Sequence, residues 1–364
     1  MLAPFQLLAF WHRFTYVKIA TIITIAFIYF NPPYALANTW GVYRGFNINP
    51  NITENDIKDI AANGANLIRL NFNRHPLMKK EPPYEFDEDA FSKLDRILIW
   101  SKKFGLKVVI DPHTTPGTDV STTTKADDDL WSNSLFHDLL VKLWDRIAQQ
   151  YSNKNDIIAG YDLLNEPSAK ALPFPSGPGD YNALIRKLIS TIRMHDKSTA
   201  IIIEPPVLKQ GDRFIVNRIE GVKYLNLPQD NNLVVSPHMY LPLSFTHQGV
   251  GSRKAGIPYA GTVDGINLNK ATLAAMLQPA VEFSKKNGIP IFIGEFSASR
   301  TAGIDGNLYL KDLLELFSEY NWSWAYHDFR GAPMWDPELP LGTIKKGQRS
   351  PNSPRMQLLR NAFH

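Results

Sequence analysis

Short apolar runs alternate with longer segments of helical period along most of this chain, and this alternation constrains the fold more than any other feature. The runs are apolar at successive positions, which is typical of parallel strands buried on both faces. Strands are predicted at Gly41–Asn47, Asn66–Phe72, Lys107–Asp111, Ile157–Leu164, Ala200–Glu204, Leu233–Ser236, Ile289–Gly294 and Trp322–His327. Helices are predicted at Asn55–Asn63, Ala90–Phe104, Ser134–Tyr151, Tyr181–His195, Leu273–Asn287 and Leu308–Tyr320, with a closing helix in the segment PRMQLLRNAF.

Alternating strands and helices of this number in about 300 residues predict a single-domain α/β protein, a (β/α)8 TIM barrel. A doubly wound sheet is the structural alternative. It would need a glycine-rich turn after its first strand, and the segment after Gly45 (FNINPNITEND) has none. Long connections follow three predicted strands, at Thr114–Asn133, Pro205–Asn232 and Leu241–Lys270. In a barrel these connections form the walls of the cleft at the carboxyl ends of the strands.

The first 37 residues have the layout of a secretory signal peptide. Arg13 and Lys18 precede the uncharged run Ile19–Phe30, and Ala35-Leu36-Ala37 provides a small-x-small cleavage site. The run has about a dozen residues, fewer than the roughly 20 that cross a bilayer. We therefore expect residues 1–37 to be removed and residues 38–364 to form a domain that is secreted or periplasmic. An uncleaved membrane anchor is the alternative.

Composition excludes several kinds of chemistry. The 364 residues include no cysteine, which excludes disulfides, iron–sulfur clusters, thiolate zinc sites and a cysteine nucleophile. The formal net charge is only +4 and no basic run occurs, so a nucleic-acid partner is not expected.

Zinc could bind Asp111, His113, His238 and His327. Metal barrels commonly have a His-x-His motif after strand one, however, and this chain has Asn47-Ile48-Asn49 at that place. There is no H-E-x-x-H or G-x-S-x-G motif. We expect neither a metal nor a cofactor.

Polar side chains end most of the predicted strands. They include Arg69, His113, Asn165, Glu166, His238, Tyr240 and Glu295, and predicted strand eight carries Trp324 and His327. Because the carboxyl ends of barrel strands meet at one rim, we expect these side chains to share one site. Helix capping would explain one or two such residues, but not arginine, histidine and glutamate placed in this way.

Glu166 and Glu295 follow strands four and seven, which lie opposite each other in a barrel. Cleavage of an acetal requires a carboxylic acid that protonates the leaving oxygen and a carboxylate that meets the developing oxocarbenium ion. Arg69 and Tyr240 could hold one carboxylate ionised, and Asn165 could donate to a sugar hydroxyl. The alternative for a single buried glutamate is a structural salt bridge, which is a poor explanation for two glutamates on one rim.

These residues lie in segments that resemble glycoside hydrolase family 5, the cellulase family of retaining (β/α)8 glycosidases. The segments are GANLIRLNF (64–72), VVIDPH (108–113), YDLLNEP (161–167), SPHMY (236–240) and IGEFS (293–297), in the family's order. The resemblance implies that Glu166 is the acid/base and Glu295 the nucleophile. It also implies residues around the −1 sugar, namely Arg69, His113, Asn165, His238 and Tyr240. Many members have a tryptophan platform after strand eight, for which Trp324 and His327 are the candidates.

The resemblance further implies a hydrolase that cleaves a β-linked polysaccharide or oligosaccharide with retention of the anomeric configuration. In such an enzyme the two carboxyl groups lie about 5–5.5 Å apart. We expect a secreted, monomeric endo-β-1,4-glucanase with no stable membrane insertion after signal removal. Mannan, β-1,3-glucan, xyloglucan and glycolipid are alternative substrates. A non-catalytic carbohydrate-binding barrel is the alternative from another functional class. Aromatic residues that could line the groove are Trp40, Tyr43, Phe72, Trp131, Tyr240, Trp324 and Trp335.

Overall fold

The computed structural model describes residues 40–118, 127–210, 213–343, 345 and 347–364. The predicted export signal, residues 1–37, lies outside these residues, and so do residues 119–126 of the predicted connection Thr114–Asn133. Within the described ranges, no helix has the length and apolar character needed to cross a bilayer.

Eight parallel strands form a barrel. In chain order, barrel strands one to eight are Arg44–Ile48, Leu67–Asn71, Lys107–Asp111, Ile158–Asp162, Ala200–Ile203, Leu233–Val235, Phe292–Phe296 and Ser323–Tyr326. Strand one pairs with strand two and with strand eight, so that Phe46 lies beside both Ile68 and Tyr326. Parallel bridges from Val235 to Ile291 and from Met239 to Phe296 connect strands six and seven. The predicted (β/α)8 barrel is confirmed.

Helices occupy most of the connections between strands. The α-helices of the described chain are Glu54–Ala62, Glu88–Lys103, Asp127–Leu130, Ser134–Tyr151, Tyr181–His195, Leu243–Thr246, Lys270–Asn287, Gly303–Glu319 and Pro354–Ala362. Some begin earlier than the apolar periodicity predicts, because a side chain caps the first turn. Asn269 Oδ1 accepts from Thr272 N at 3.1 Å and Asp87 Oδ1 accepts from Ala90 N at 3.0 Å.

The connection after strand five contributes to a second, smaller sheet. Val207–Gln210 pairs antiparallel with Arg213–Val216, and Ser168–Ala169, which follows strand four, pairs in parallel with Val207–Gln210. A 3₁₀ turn at Glu220–Tyr224 follows the hairpin. Because these segments follow the carboxyl ends of strands four and five, they form one wall of the cleft. A separate short hairpin pairs Thr262–Val263 with Ile266–Asn267.

The two-residue period of a strand determines what the barrel encloses. Apolar side chains near the starts of the strands form one interior cluster, and Trp40 and Tyr43 pack against it. Two positions further along the same face, charged residues follow apolar ones, as in the pairs Leu67 and Arg69, Val109 and Asp111, and Ile202 and Glu204. The barrel therefore has an apolar lower layer beneath a charged upper layer. Trp40 and Tyr43 belong to the lower end, so they do not line a groove at the rim.

Candidate active site

Arg69 lies at the centre of the charged layer and is fully buried. Its guanidinium contacts Asp111 at 3.0 Å and contacts Asp162, Glu204 and Glu295 at 2.8 Å each. Several ionised carboxylates around one buried cation would be costly. Burial and the charge of Glu204 raise the pKa of Asp162 well above its usual range, which favours the neutral form of Asp162. Arg69 thus fixes four acidic side chains around a single point.

Glu295 is held at both oxygens by hydrogen-bond donors. Arg69 Nη1 donates to Oε1 at 2.8 Å, and the Tyr240 hydroxyl donates to Oε2 at 2.9 Å. His327 Nδ1 lies 3.6 Å from Oε2. Burial opposes ionisation, but electrostatic interactions with His327, His238 and Arg69 outweigh it and lower the pKa of Glu295 well below its usual range. An ionised carboxylate of this kind is suited to attack an electrophilic carbon or to stabilise positive charge.

Glu166 follows strand four with φ at 44°, a left-handed conformation that residues other than glycine seldom adopt. Its backbone N–H donates to Glu204 Oε2 at 2.7 Å, which ties the turn to the end of strand five. His238 Nδ1 lies 2.9 Å from Oε1, and Arg218 Nη2 donates to Oε2. Burial raises the pKa of Glu166, but Arg218 and His238 outweigh burial and lower the pKa well below its usual range.

The two glutamates lie close enough to act on one atom. One oxygen from each of them and one nitrogen of His238 lie within 4.8 Å of one another. Such a group could also contact a cation, but Arg69 and Arg218 already neutralise the two carboxylates and would repel a divalent ion. We therefore do not assign a metal to these residues.

His238 is enclosed by acidic groups. Its Nδ1 lies 2.9 Å from Glu166 Oε1, and its Nε2 lies 3.2 Å from Glu204 Oε1. Burial favours the neutral ring, but Glu204, Glu295 and Glu166 outweigh burial and raise the pKa of His238 to about 10. The imidazolium form therefore bridges the ends of strands four and five.

Asn165 and His113 also lie in this layer, as the sequence predicts for its strand-end residues. Asn165 Oδ1 accepts from Arg69 Nη2 at 3.1 Å, which orients the side-chain amide. His113 Nδ1 lies 2.7 Å from Asp111 Oδ2, and Asp111 Oδ1 accepts from the His113 backbone at 2.8 Å. Burial lowers the pKa of His113, but Asp111 outweighs burial and raises it.

Trp324 is the exception among the candidate residues and requires a correction. Its side chain is 1% exposed and stacks on Phe363 in the layer between barrel and helices. Successive side chains of strand eight point to opposite faces, so Ala325 faces the barrel interior while Trp324 and Tyr326 face the helices. The next interior position is His327, which lies beside Glu295. Trp324 therefore has a packing role, and His327 is the strand-eight residue at the site.

Aromatic rings extend the site from His327 towards the C-terminal segment. Trp335 lies 6.3 Å from His327, 6.2 Å from Tyr240 and 4.9 Å from His247 between ring centroids. Arg300 positions this segment, because its guanidinium donates to the carbonyls of Pro333, Pro340 and Lys345. Of the aromatic residues predicted to line a groove, Tyr240 contacts Glu295, and Trp335 lies beside Tyr240 and His327.

Glu204 and Arg218 also lie at the site, and neither is among the residues predicted from the sequence. Glu204 gave a signal that could have been used, since it ends the apolar run Ala200–Ile203 just as Glu295 ends its own strand. Arg218 gave none, because it lies in the middle of a long connection whose path depends on the hairpin and turn around it.

A sequence profile described as Cellulase (glycosyl hydrolase family 5) matches residues 34–332. The chain belongs to this family. The predicted resemblance is confirmed, and the protein is a glycoside hydrolase. The non-catalytic carbohydrate-binding barrel is therefore not retained.

Relatives of this family 5 enzyme include Endoglucanase C of Acetivibrio thermocellus, 28% identical over 313 residues that cover 76% of this chain and 85% of that protein. Cellodextrinase A of Ruminococcus flavefaciens is 27% identical over 271 residues, which cover 74% of this chain and 76% of that protein. Among solved structures, a mutant form of Thermotoga maritima Cel5A in complex with cellobiose matches with a TM-score of 0.67 at 25% identity. That match covers 88% of this chain and 96% of that one.

Proposed function

We propose that this family 5 enzyme is an endo-β-1,4-glucanase that acts by double displacement, with Glu295 as nucleophile and Glu166 as acid/base. The spacing of the two carboxylates carries the proposal, because one oxygen of each lies within 4.8 Å of the other. Retaining glycosidases hold their carboxyl groups about 5–5.5 Å apart, whereas inverting enzymes separate them by about 6.5–9.5 Å to admit a water molecule. The close spacing favours retention.

In the first step, a Glu295 oxygen attacks the anomeric carbon as the bond from that carbon to the leaving oxygen breaks. Glu166 gives its proton to the leaving oxygen, and a glycosyl ester of Glu295 forms. The low pKa of Glu295 keeps the nucleophile ionised at neutral pH. Arg69 and Tyr240 hold its oxygens in place for the attack.

In the second step, Glu166 acts as a base. Its carboxylate takes a proton from water, the resulting hydroxide oxygen bonds to the anomeric carbon, and the ester bond to Glu295 breaks. The ion pair with Arg218 and the hydrogen bond with His238 favour the ionised form of Glu166 that this step needs.

The remaining site residues are proposed to bind the sugar at the cleavage point. Asn165 would present its amide to a hydroxyl, and His113 would present the ring nitrogen that does not face Asp111. His327, rather than Trp324, would form the platform next to Glu295. An imidazole offers less stacking area than an indole, but its second ring nitrogen can also donate or accept a hydrogen bond.

The proposed β-1,4-glucan substrate is supported by the names of the relatives, one an endoglucanase, and by the cellobiose complex of the similar structure. The direct test measures reducing-end release from a panel of β-1,4-glucan, mannan, β-1,3-glucan and xyloglucan, with a glycolipid assayed separately. We expect highest turnover on β-1,4-glucan, with chain-length reduction that outpaces release of small sugars. Preference for another polymer would overturn the substrate, and loss mainly of terminal sugars would overturn endo action.

Two variants test the catalytic roles in the same assay. Glu295→Gln should abolish turnover while substrate binding persists, because glutamine cannot form the ester. Glu166→Ala should be slow, and added azide should restore it more fully than it restores Glu295→Gln, because a small anion can replace the missing base. Wild-type turnover in Glu295→Gln would end the assignment.

We further propose that the enzyme is exported, with residues 1–37 as its signal peptide, and that it works as a monomer. Expression in a secreting host should give an extracellular or periplasmic protein whose first residue is Asn38. A membrane-bound product that begins at Met1 would favour the uncleaved anchor. Sedimentation should give the mass of a single chain, and a concentration-independent larger mass would contradict the monomer.

A further inference from the structure

Arg218 is held in a structured turn above Glu166. Asn217 Oδ1 accepts from the backbone N–H groups of Ile219 and Glu220 at 3.0 Å each, and Glu220 Oε2 accepts from Asn217 Nδ2 at 2.7 Å. Gly221 lets this turn approach the end of strand five, because a Cβ there would lie 2.2 Å from the Pro206 carbonyl. The sequence around Arg218 therefore fixes its backbone against the barrel.

The two oxygens of Glu166 are engaged by different kinds of partner. Oε1 faces His238, whose side chain is fully buried, and Oε2 accepts from Arg218, whose side chain is 13% exposed on the cleft wall. A protonated Oε2 cannot accept the same charge-assisted bond from a guanidinium, and the leaving oxygen of a substrate needs room beside that proton. Arg218 is the partner that an entering sugar can reach.

We propose that Arg218 is a positioning residue that controls the protonation of Glu166, and that a sugar on the leaving-group side of the cleft displaces Arg218 from Oε2. This inference rests on the proposed function. On displacement, Glu166 takes up one proton from solvent and delivers it to the leaving oxygen. When the leaving sugar departs, Arg218 pairs with the Glu166 carboxylate again, and the proton that Glu166 takes from water in the second step then returns to solvent.

Other charges also act on Glu166, and the test must separate them from Arg218. The titratable groups that face it from neighbouring elements are Glu204, His238, Tyr240, His247 and Glu295. Burial and nearby Arg253 and Arg218 lower the pKa of His247 to about 4, so this ring is neutral near pH 7. Arg218 is therefore the fixed cation that a single substitution can remove while the histidine and carboxylates remain.

The experiment compares the pH profile of kcat/KM for wild type, Arg218→Gln and Arg218→Lys on two substrates. Cellotetraose has a sugar leaving group that needs a proton, whereas 2,4-dinitrophenyl β-cellobioside has one that departs without it. With cellotetraose, Arg218→Gln should move the basic limb upward by about one pH unit or more, since an adjacent opposite charge no longer favours the carboxylate. Arg218→Lys should keep the limb near its wild-type position.

With the dinitrophenyl substrate, the basic limb of Arg218→Gln should stay where it is in wild type. Arg186→Gln is the matched control, because Arg186 lies on an outer helix and donates to the Asn226 carbonyl at 3.2 Å. An equal loss on both substrates with an unmoved basic limb would assign Arg218 a structural role only and overturn the inference. Wild-type protein inactive on both substrates would instead refute the proposed function.

Discussion

Glu204→Gln removes one negative charge from the charged layer with almost no change in shape. Glu204 accepts from Arg69 Nη2 at 2.8 Å and from Glu166 N at 2.7 Å, and its Oε1 lies 3.2 Å from His238 Nε2. Glutamine presents an amide NH₂ in place of one oxygen, so at least one of these donors must face another donor. A buried hydrogen bond to a charged group contributes about 1.5–3 kcal/mol, and a broken buried ion pair about 3–5 kcal/mol. We expect a loss of about 2–4 kcal/mol in unfolding free energy.

Urea unfolding at pH 7 measures this loss, with Glu315→Gln as the matched control. Glu315 pairs with Lys270 and Lys311 on the surface, where its side chain is 42% exposed, and such pairs contribute about 0–1 kcal/mol. Glu204→Gln should also lower kcat/KM, because the Glu166 backbone loses its anchor. A loss no larger than that of the control would refute the view that Glu204 organises the site.

Three further predictions concern single side chains. Trp324→Ala should lower the free energy of unfolding by about 3–5 kcal/mol, the usual cost of emptying a buried aromatic site. His327→Ala should lower kcat/KM but change the free energy of unfolding by less than about 1 kcal/mol. The reverse pattern would contradict the placement of these two residues. Tyr240→Phe should lower kcat/KM about 10- to 100-fold through loss of a bond to the Glu295 carboxylate, and unchanged kinetics would show that this bond does not matter in the transition state. The pKa of His238 is raised from 6.5 to about 10, so the stability that its protonation contributes is complete below about pH 6.5 and disappears as pH rises through about 10. The difference in unfolding free energy between wild type and His238→Gln should therefore narrow over that range. A constant difference in urea titrations would argue against this role of His238.

The barrel was predictable because each strand is a short run of apolar residues that must be buried on both faces. The boundaries were less predictable where a local feature overrides periodicity. Strand seven begins at Phe292 rather than Ile289, since Pro290 has no N–H to donate and only its carbonyl pairs, with Val235 N at 3.0 Å. The helix Gly303–Glu319 begins before the predicted Leu308, because its first turn leaves Ile304 exposed and so lacks an apolar pattern.

The strand-end residues of the site were predictable because a barrel brings the carboxyl ends of its strands together. Trp324 was wrongly assigned to the site, although the sequence contained a signal against it. The small Ala325 indicates which residues of strand eight face the interior, and the next residue on that face is His327. Arg218 could not be predicted. Its contact with Glu166 depends on how a long connection folds back over the rim, and no short-range pattern encodes that path.

In the proposed mechanism, Glu295 bonds to the anomeric carbon of a sugar that Glu166 also contacts. This bond can be trapped by incubation with 2,4-dinitrophenyl 2-deoxy-2-fluoro-β-cellobioside and located by peptide mass spectrometry, because the fluorine slows hydrolysis of a covalent intermediate. We predict one fluorocellobiosyl group per chain, attached to Glu295, and no labelling of Glu295→Gln. A label on any other residue, or rapid turnover that gives the inverted anomer without labelling, would refute the mechanism.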